Sequence, residues 1–297
     1  RSAGTHLAIS ESGASLGSIS GGCVEAALVG LGQRAIASNA PERIRLGAGS
    51  PYIDIRLPCG GGLDLQIIPD PDIEVMARAC ERLGQRQSVN LALNPDGRIW
   101  IEQNTRLFGW SAGSFHVRHD PDLRLVIVGR GAETQALTKL AIAYGAMIEL
   151  LSPDQETIHA CVRHGAVAWH LARPSRSPHL RSDSHTAIVM LFHDHDWEIE
   201  LLAQALTLRP FFIGAMGSRQ THERRLAELR KHGVPDELSR RIVAPVGMIR
   251  SARDPDTLAL SILSQVVDAH REMSATSGEA KPVHHLEALG FPHYRLA

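Results

Sequence analysis

The stretch "LRLVIVGRGAETQALTKLAIAYGAMIELLS", residues 123–152, decides the fold. "LRLVIVG" is an apolar, β-branched run bounded by glycine, which predicts a buried strand. "ETQALTKLAIAYG" carries apolar residues at helical spacing and is closed by Gly145, and "MIELLS" is a second strand. A strand that returns to its sheet through a helix runs parallel to the first. The alternation continues through a helix "DQETIHACVRHG" closed by Gly165, a strand "AVAWHL", a polar loop at 173–185 and a strand "TAIVMLF". A helix over 196–207, a strand "PFFIGA", a basic helix over 218–232 and a last helix over 255–272 complete it. This order predicts an α/β, Rossmann-like, doubly wound parallel sheet.

Residues 1–120 lack that order. Short strand candidates ("HLAIS", "YIDIRL", "LDLQIIP", "VNLALN", "RIWIE") are separated by turns such as Pro95-Asp96-Gly97, with helices near 23–37 and 71–84. The expectation is a smaller glycine-rich α+β domain over 1–120, a hinge near 118–122, the Rossmann-like domain over 121–275, and a tail over 276–297 that lies across a partner.

A near-neutral chain, net charge −1, gives no electrostatic footprint for nucleic acid and no polybasic surface for a membrane. No apolar run approaches the roughly 20 residues that a spanning helix needs. Cys23, Cys59, Cys80 and Cys161 lie far apart with no C-x-x-C pair, which predicts neither a disulfide framework nor a zinc ribbon and suits a reducing, cytoplasmic setting. The chain begins "RSAGTH" without methionine or a signal-peptide pattern, so a missing N-terminal piece is expected.

Polar motifs gather at one edge of the predicted sheet. In an open parallel sheet ligands bind outside the carboxyl ends of the strands. There fall "GRGAET", "SPD", "HDHD" and "GAMGSRQTH". Gly129 and Gly131 supply two glycines of a dinucleotide fingerprint, but Thr134 stands at the third, and Ser152 stands where an acid would hold a ribose, with Asp154 two residues later. "GAMGSRQTHERR" is the stronger anion site: Ser218 caps the helix, and Arg219, Thr221 and His222 add donors in its first turn. Arg224, Arg225 and Arg230 are expected on a solvated basic face. In "HDHD" only His193 and His195 could face one ion, and Asp196 is expected to cap the next helix, so no protein metal ligands are assigned.

The first domain has its own pair of motifs, "SGGCVE" and "LPCGGGLDL". With Gly22 as cap, Cys23 falls in a first helical turn, where the dipole favours the thiolate, and Glu25 falls at a capping-box position. Cys59 abuts the second glycine run, and Cys80 and Cys161 lie on core-facing helix patterns.

"GSISGGCVE", "GAGSPYIDIRLPCGGGLDL", "LVIVGRG", "FHDHD", "IGAMGSRQTHERRLAEL" and "APVGMIRSARDPDTLALSILSQVV" occur in this order, and together the chain closely resembles the XdhC/CoxI family of molybdenum hydroxylase accessory proteins. The resemblance implies a protein that binds the molybdopterin form of the molybdenum cofactor. It would assist sulfuration with a cysteine desulfurase and deliver the cofactor to a xanthine dehydrogenase-type apo-enzyme, as a maturation protein rather than a turnover enzyme. The implied cofactor-binding residues are Ser20, Gly21, Gly22, Cys23, Glu25, Cys59, Gly60, Gly61, Gly129, Gly131, His193, Asp194, Gly217, Ser218, Arg219, Thr221 and His222. The expected placement lies between the domains, phosphate on the Rossmann edge and molybdenum toward Cys23 and Cys59. Two departures stand out: Leu151-Ser152-Pro153 where the family often shows "VDP", and Ile249 in "GMIRSA" where it shows an acid. An NAD(P)-binding oxidoreductase and a sulfur carrier with persulfide on Cys23 are the alternatives, and a homodimer is the expected assembly.

Overall fold

The structure, a computed structural model, describes residues 3–22, 24–51, 57, 60–104, 108–192 and 195–276. Cys23, Cys59, His193, Asp194, most of the expected "YIDIRL" strand and the tail from 277 lie outside the described residues. The chain divides into two compact units, the first reaching Asp120 and the second spanning Pro121–Thr276.

The first unit holds β1 (Leu7–Ile9), β2 (Ser15–Gly17), α1 (Glu25–Ser38), β3 (Glu42–Gly47) and β4 (Gly62–Ile67). These are followed by α2 (Ile73–Gly84), β5 (Val89–Leu93), β6 (Ile99–Glu102), β7 (Gly109–Ser111) and β8 (Ser114–His119). β1 pairs with β2 and β3 with β4, both antiparallel. The remaining strands form an antiparallel sheet in the order β6-β5-β8-β7. Val24, Leu28 and Leu31 recur at helical spacing and pack onto Ile44 and Leu46 of β3. Val75 and Ala79 of α2 pack onto Val89 and Leu91 of β5 and Val117 of β8. β3 escapes the sequence reading because "ERIRLG" is half charged. Its register explains the charges: Ile44 and Leu46 point inward, while Arg45 faces Asp64 of β4 across the ladder and pairs with it at 2.7 Å. Cys80, expected in the core, is exposed instead, because α2 turns Val75 and Ala79 inward and Cys80 away. Cys161 is buried.

The second unit holds β9 (Arg124–Gly129), α3 (Ala132–Tyr144), β10 (Met147–Ser152), α4 (Gln155–Arg163), β11 (Val167–His170) and β12 (Thr186–Leu191). It continues with α5 (His195–Thr207), β13 (Phe212–Ala215), α6 (Arg219–Lys231), α7 (Asp236–Ser239), β14 (Ile242–Val243) and α8 (Pro255–Thr276). Its six parallel strands run in the order β11-β10-β9-β12-β13-β14. The chain moves outward from β9 in one direction, then reverses and moves outward from β12. That reversal is the topological switch point of a doubly wound sheet.

Alternation along each strand feeds two cores. Leu125 and Ile127 of β9 face a layer with Leu137 and Ala141 of α3, Cys161 of α4, and Ile262 and Val266 of α8. Val126 and Val128 face the other, with Ile188, Met190, Leu202 and Leu206, and Leu229 of α6. Burying each such Leu or Ile contributes roughly 1.5–3 kcal/mol before conformational entropy is charged against it. A sheet covered on both faces has continuously apolar strands, which is why this half was the more legible.

Candidate functional site

Two constellations carry the polar motifs, one in each unit. In the first, the chain from Gly17 folds around one carboxylate. Glu25 accepts from the backbone amides of Ile19, Ser20, Gly21, Gly22 and Val24 and from the hydroxyls of Ser18 and Ser20, at 2.6–3.2 Å. Gly21 and Gly22 have φ of 76° and 111°, which turns successive N–H groups toward one centre. The Ser20 hydroxyl and amide, followed by the Ser18 hydroxyl, hold the Glu25 carboxyl well below the usual carboxylate range against the opposing effect of desolvation.

This differs from the capping-box expectation. α1 starts at Glu25, with Val24 at the cap position and no side-chain cap, so Glu25 opens the helix and reaches back into the loop. The donors of Ser20, Gly21 and Gly22 are thereby engaged, while a side chain built on Gly21 or Gly22 would meet nothing within 4 Å. What the turn offers a ligand is bare backbone surface. Gly60 and Gly61 are exposed before β4, and the Gly61 carbonyl accepts from Ala48 at 2.9 Å, tying this run to the end of β3.

In the second unit the motifs stand at the carboxyl edge. Gly129 ends β9, and Gly131 is the cap of α3. Across the sheet, Ser218 caps α6 by accepting from the Thr221 amide at 3.1 Å, and its hydroxyl lies 3.0 Å from that of Thr221. Gly217, with φ of 128°, makes the turn; a Cβ there would lie 2.7 Å from Thr221 Cγ2. Helix geometry leaves the Arg219 and Gln220 amides without a carbonyl four residues back inside α6, and both residues are exposed. The first turn of α6 contains no acidic residue. The positive end of the dipole is therefore uncompensated, and the Arg219 side chain adds to it.

Beneath this turn lies a feature that sequence reasoning missed. Arg225, expected on the solvated face, is fully buried and donates through Nε to Glu198 Oε2 of α5 at 2.9 Å and through Nη2 to the Met216 carbonyl at 2.6 Å. Glu198 is 1% exposed. The signal was present: Arg225 stands four residues before Leu229, on the buried stripe of α6. His222 sits half-buried with Nδ1 3.5 Å from Arg225 Nη1. Burial, then Arg225, push its imidazole below the ordinary value, against the pull of Glu223. Asp196 lies inside the first turn of α5 rather than at its cap. Among the described residues no group of three or more His, Cys, Asp or Glu side chains is placed to hold a metal ion, and no helix is long and apolar enough to cross a membrane.

Fold and loops together define a Rossmann-type protein that carries a glycine-rich α+β unit ahead of its nucleotide-fold unit. Residues 125–266 match the XdhC Rossmann domain, and residues 1–47 match the XdhC and CoxI family. The molybdenum cofactor insertion chaperone PaoD of Escherichia coli (strain K12) is 36% identical over 276 residues, covering 92% of this chain and 80% of PaoD. The chain belongs to the XdhC/CoxI family. The uncharacterized protein YqeB of the same organism is 27% identical over 156 residues, covering 48% of this chain and 27% of YqeB. A crystal structure described as a xanthine dehydrogenase from Bacillus halodurans shares the fold, with a TM-score of 0.73 at 20% identity over 92% of this chain and 88% of that one.

Proposed function

We propose that this protein binds the molybdenum cofactor as cargo and passes it to a molybdoenzyme, acting as an insertion chaperone. The identity shared with PaoD over most of both chains supports the cargo. The structural observation that carries the reading is the α6 N-terminus: a Ser218-capped turn with exposed amides, Arg219 beside them and no acid in its first turn. Molybdopterin ends in a phosphate monoester, and that donor set fits a phosphate. Arg219, with Ser218 and Thr221, is assigned to it. Gly21 and Gly22 supply bare backbone that a cofactor can approach, and Glu25 keeps that backbone in shape.

The finer parts of the proposal are sulfuration of the cargo with a cysteine desulfurase and a client of the xanthine dehydrogenase type. Cys23 and Cys59 are the soft donors assigned to the molybdenum end. Removing the exposed Arg219 side chain leaves the fold intact and deletes one charge-assisted hydrogen bond, so Arg219→Ala should weaken binding of molybdopterin about tenfold or more. Pterin fluorescence with the purified full chain measures it. Equal affinity in the variant and the parent would overturn the phosphate assignment.

A further inference from the structure

A dinucleotide requires two things of the turn after the first Rossmann strand: a backbone amide at the second glycine that can meet the pyrophosphate, and an acid after the second strand directed at the ribose. Here both are engaged by Thr157, which stands between them. The Gly131 amide donates to Thr157 Oγ1 of α4 at 2.9 Å, and the Thr157 hydroxyl donates to Asp154 Oδ2. Asp154 also accepts from the Thr157 amide at 2.8 Å, capping α4, while its own amide donates to Ser152 Oγ at 3.1 Å. Thr157 and Ser152 are fully buried.

The direction of this chain is fixed by chemistry. A hydroxyl has one proton, and an ionised carboxylate only accepts, so Thr157 gives its proton to Asp154 and receives the Gly131 N–H on a lone pair. The Thr157 hydroxyl and then its amide hold the Asp154 carboxyl below the ordinary aspartate value, so it is charged at neutral pH. Thr157 Oγ1 thus stands where a phosphate oxygen would stand on the Gly131 amide. Two hydrogen bonds behind that amide lies the Asp154 carboxylate, itself near Arg130, so the acceptor and the negative charge that a diphosphate would bring to the Gly131 amide are already supplied by the chain.

We infer that the turn between β9 and α3 is latched by Thr157 and Asp154 against dinucleotide pyrophosphates, so that this unit keeps the Rossmann sheet without an NAD(P) site at its first turn. The latch is independent of the phosphate assigned to α6, since neither Thr157 nor Asp154 belongs to that turn. The test titrates the full-length protein with NADH and NADPH while following backbone amides by NMR, and compares amide hydrogen exchange in the parent, Thr157→Val and Thr157→Ser. The expected result is binding weaker than about 1 mM in the parent with no shift at Gly131. Gly131 exchange should be faster by about tenfold or more in Thr157→Val, and protected again in Thr157→Ser, which restores the hydroxyl. Saturable binding of either nucleotide with a shifted Gly131 amide would overturn the inference. So would a Gly131 exchange rate that is the same in the valine variant and the parent.

Discussion

Replacing Arg225 with methionine removes the guanidinium from the centre of the second unit and keeps most of the side chain's volume. Arg225 and Glu198 are 0% and 1% exposed, so water screens their 2.9 Å contact very little. The same substitution deletes the 2.6 Å bond to the Met216 carbonyl, which holds the strand end just before Gly217. Removing one member of a buried pair destabilises by roughly 3–5 kcal/mol, most of it the penalty of leaving the other charge in a medium that solvates it poorly. For a unit of this size each kcal/mol moves the thermal midpoint by about 2–4 °C, so the midpoint of the second unit should fall by roughly 6–20 °C. Urea denaturation followed by tryptophan fluorescence reads it directly, because Trp197 stacks on Phe192 beside Glu198 and reports on this region. The decisive comparison is the double variant Glu198→Met/Arg225→Met. An apolar pair of similar volume needs no solvation, so the double variant should recover most of the loss, giving a coupling of about 2–4 kcal/mol. A loss under about 1 kcal/mol in Arg225→Met, or strict additivity in the cycle, would refute the argument that the pair braces the α6 turn.

Ser218→Ala removes the α6 cap and should cost about 1 kcal/mol, with most of it restored by Ser218→Asn; equal stability of all three proteins would show the cap to be idle. Glu25→Gln should lower stability at neutral pH, because an amide cannot accept the full set of donors around Glu25. Since the folded carboxyl titrates below its ordinary value of 4.5, the gap between parent and variant should be constant above that pH and narrow only in stronger acid; a gap that closes between pH 7 and 5 would contradict it. His119, 3.1 Å from His6, is lowered to about 4 by burial and by His6, against Asp120. The unfolded imidazole takes up its proton near 6.5 and the folded one near 4, so stability should fall as pH drops through that window and be flat above it. His119→Asn should flatten the slope, and an unchanged slope would assign the pH dependence elsewhere.

Five of the six strands of the second unit were legible because the central ones are covered on both faces and are followed by loops with recognisable chemistry; β14, two residues long, and α7, four residues long, escaped the sequence reading. Gly145 and Gly165 stop helices as expected, and Ser218 caps α6. What else escaped was long range. Nothing in "THERRLAEL" names Glu198 as the partner of Arg225, and the charge of Arg225 outweighed its place four residues before Leu229 in assigning it to the solvent side. The first unit was harder: β3 and β8 are half-buried and rich in charge or histidine, so alternation is diluted by residues whose partners lie across the ladder, and β7 is only three residues long. The acid at position 25 was seen, but its role depended on where α1 begins. A shift of two residues in that start converts a helix-capping side chain into the centre of a loop.

The three amide-bearing turns differ in one physical respect that bears on function. At Gly21 and Gly22 the donors converge on Glu25, and at Gly131 the amide is held by Thr157 and Asp154. In both places an acid of the chain itself supplies the negative charge that a glycine turn attracts. At α6 there is no acid in the first turn, and the buried Glu198 is matched by Arg225 before its charge can reach the turn. Of these three turns, α6 therefore retains electrostatic capacity for an external anion. A carboxylate introduced there should mimic what the other two turns already contain: Thr221→Glu should stabilise α6 through the helix dipole by a few tenths of a kcal/mol up to about 1. The same change should abolish phosphate-dependent cofactor binding. Stabilisation with binding retained would mean that the phosphate is held elsewhere.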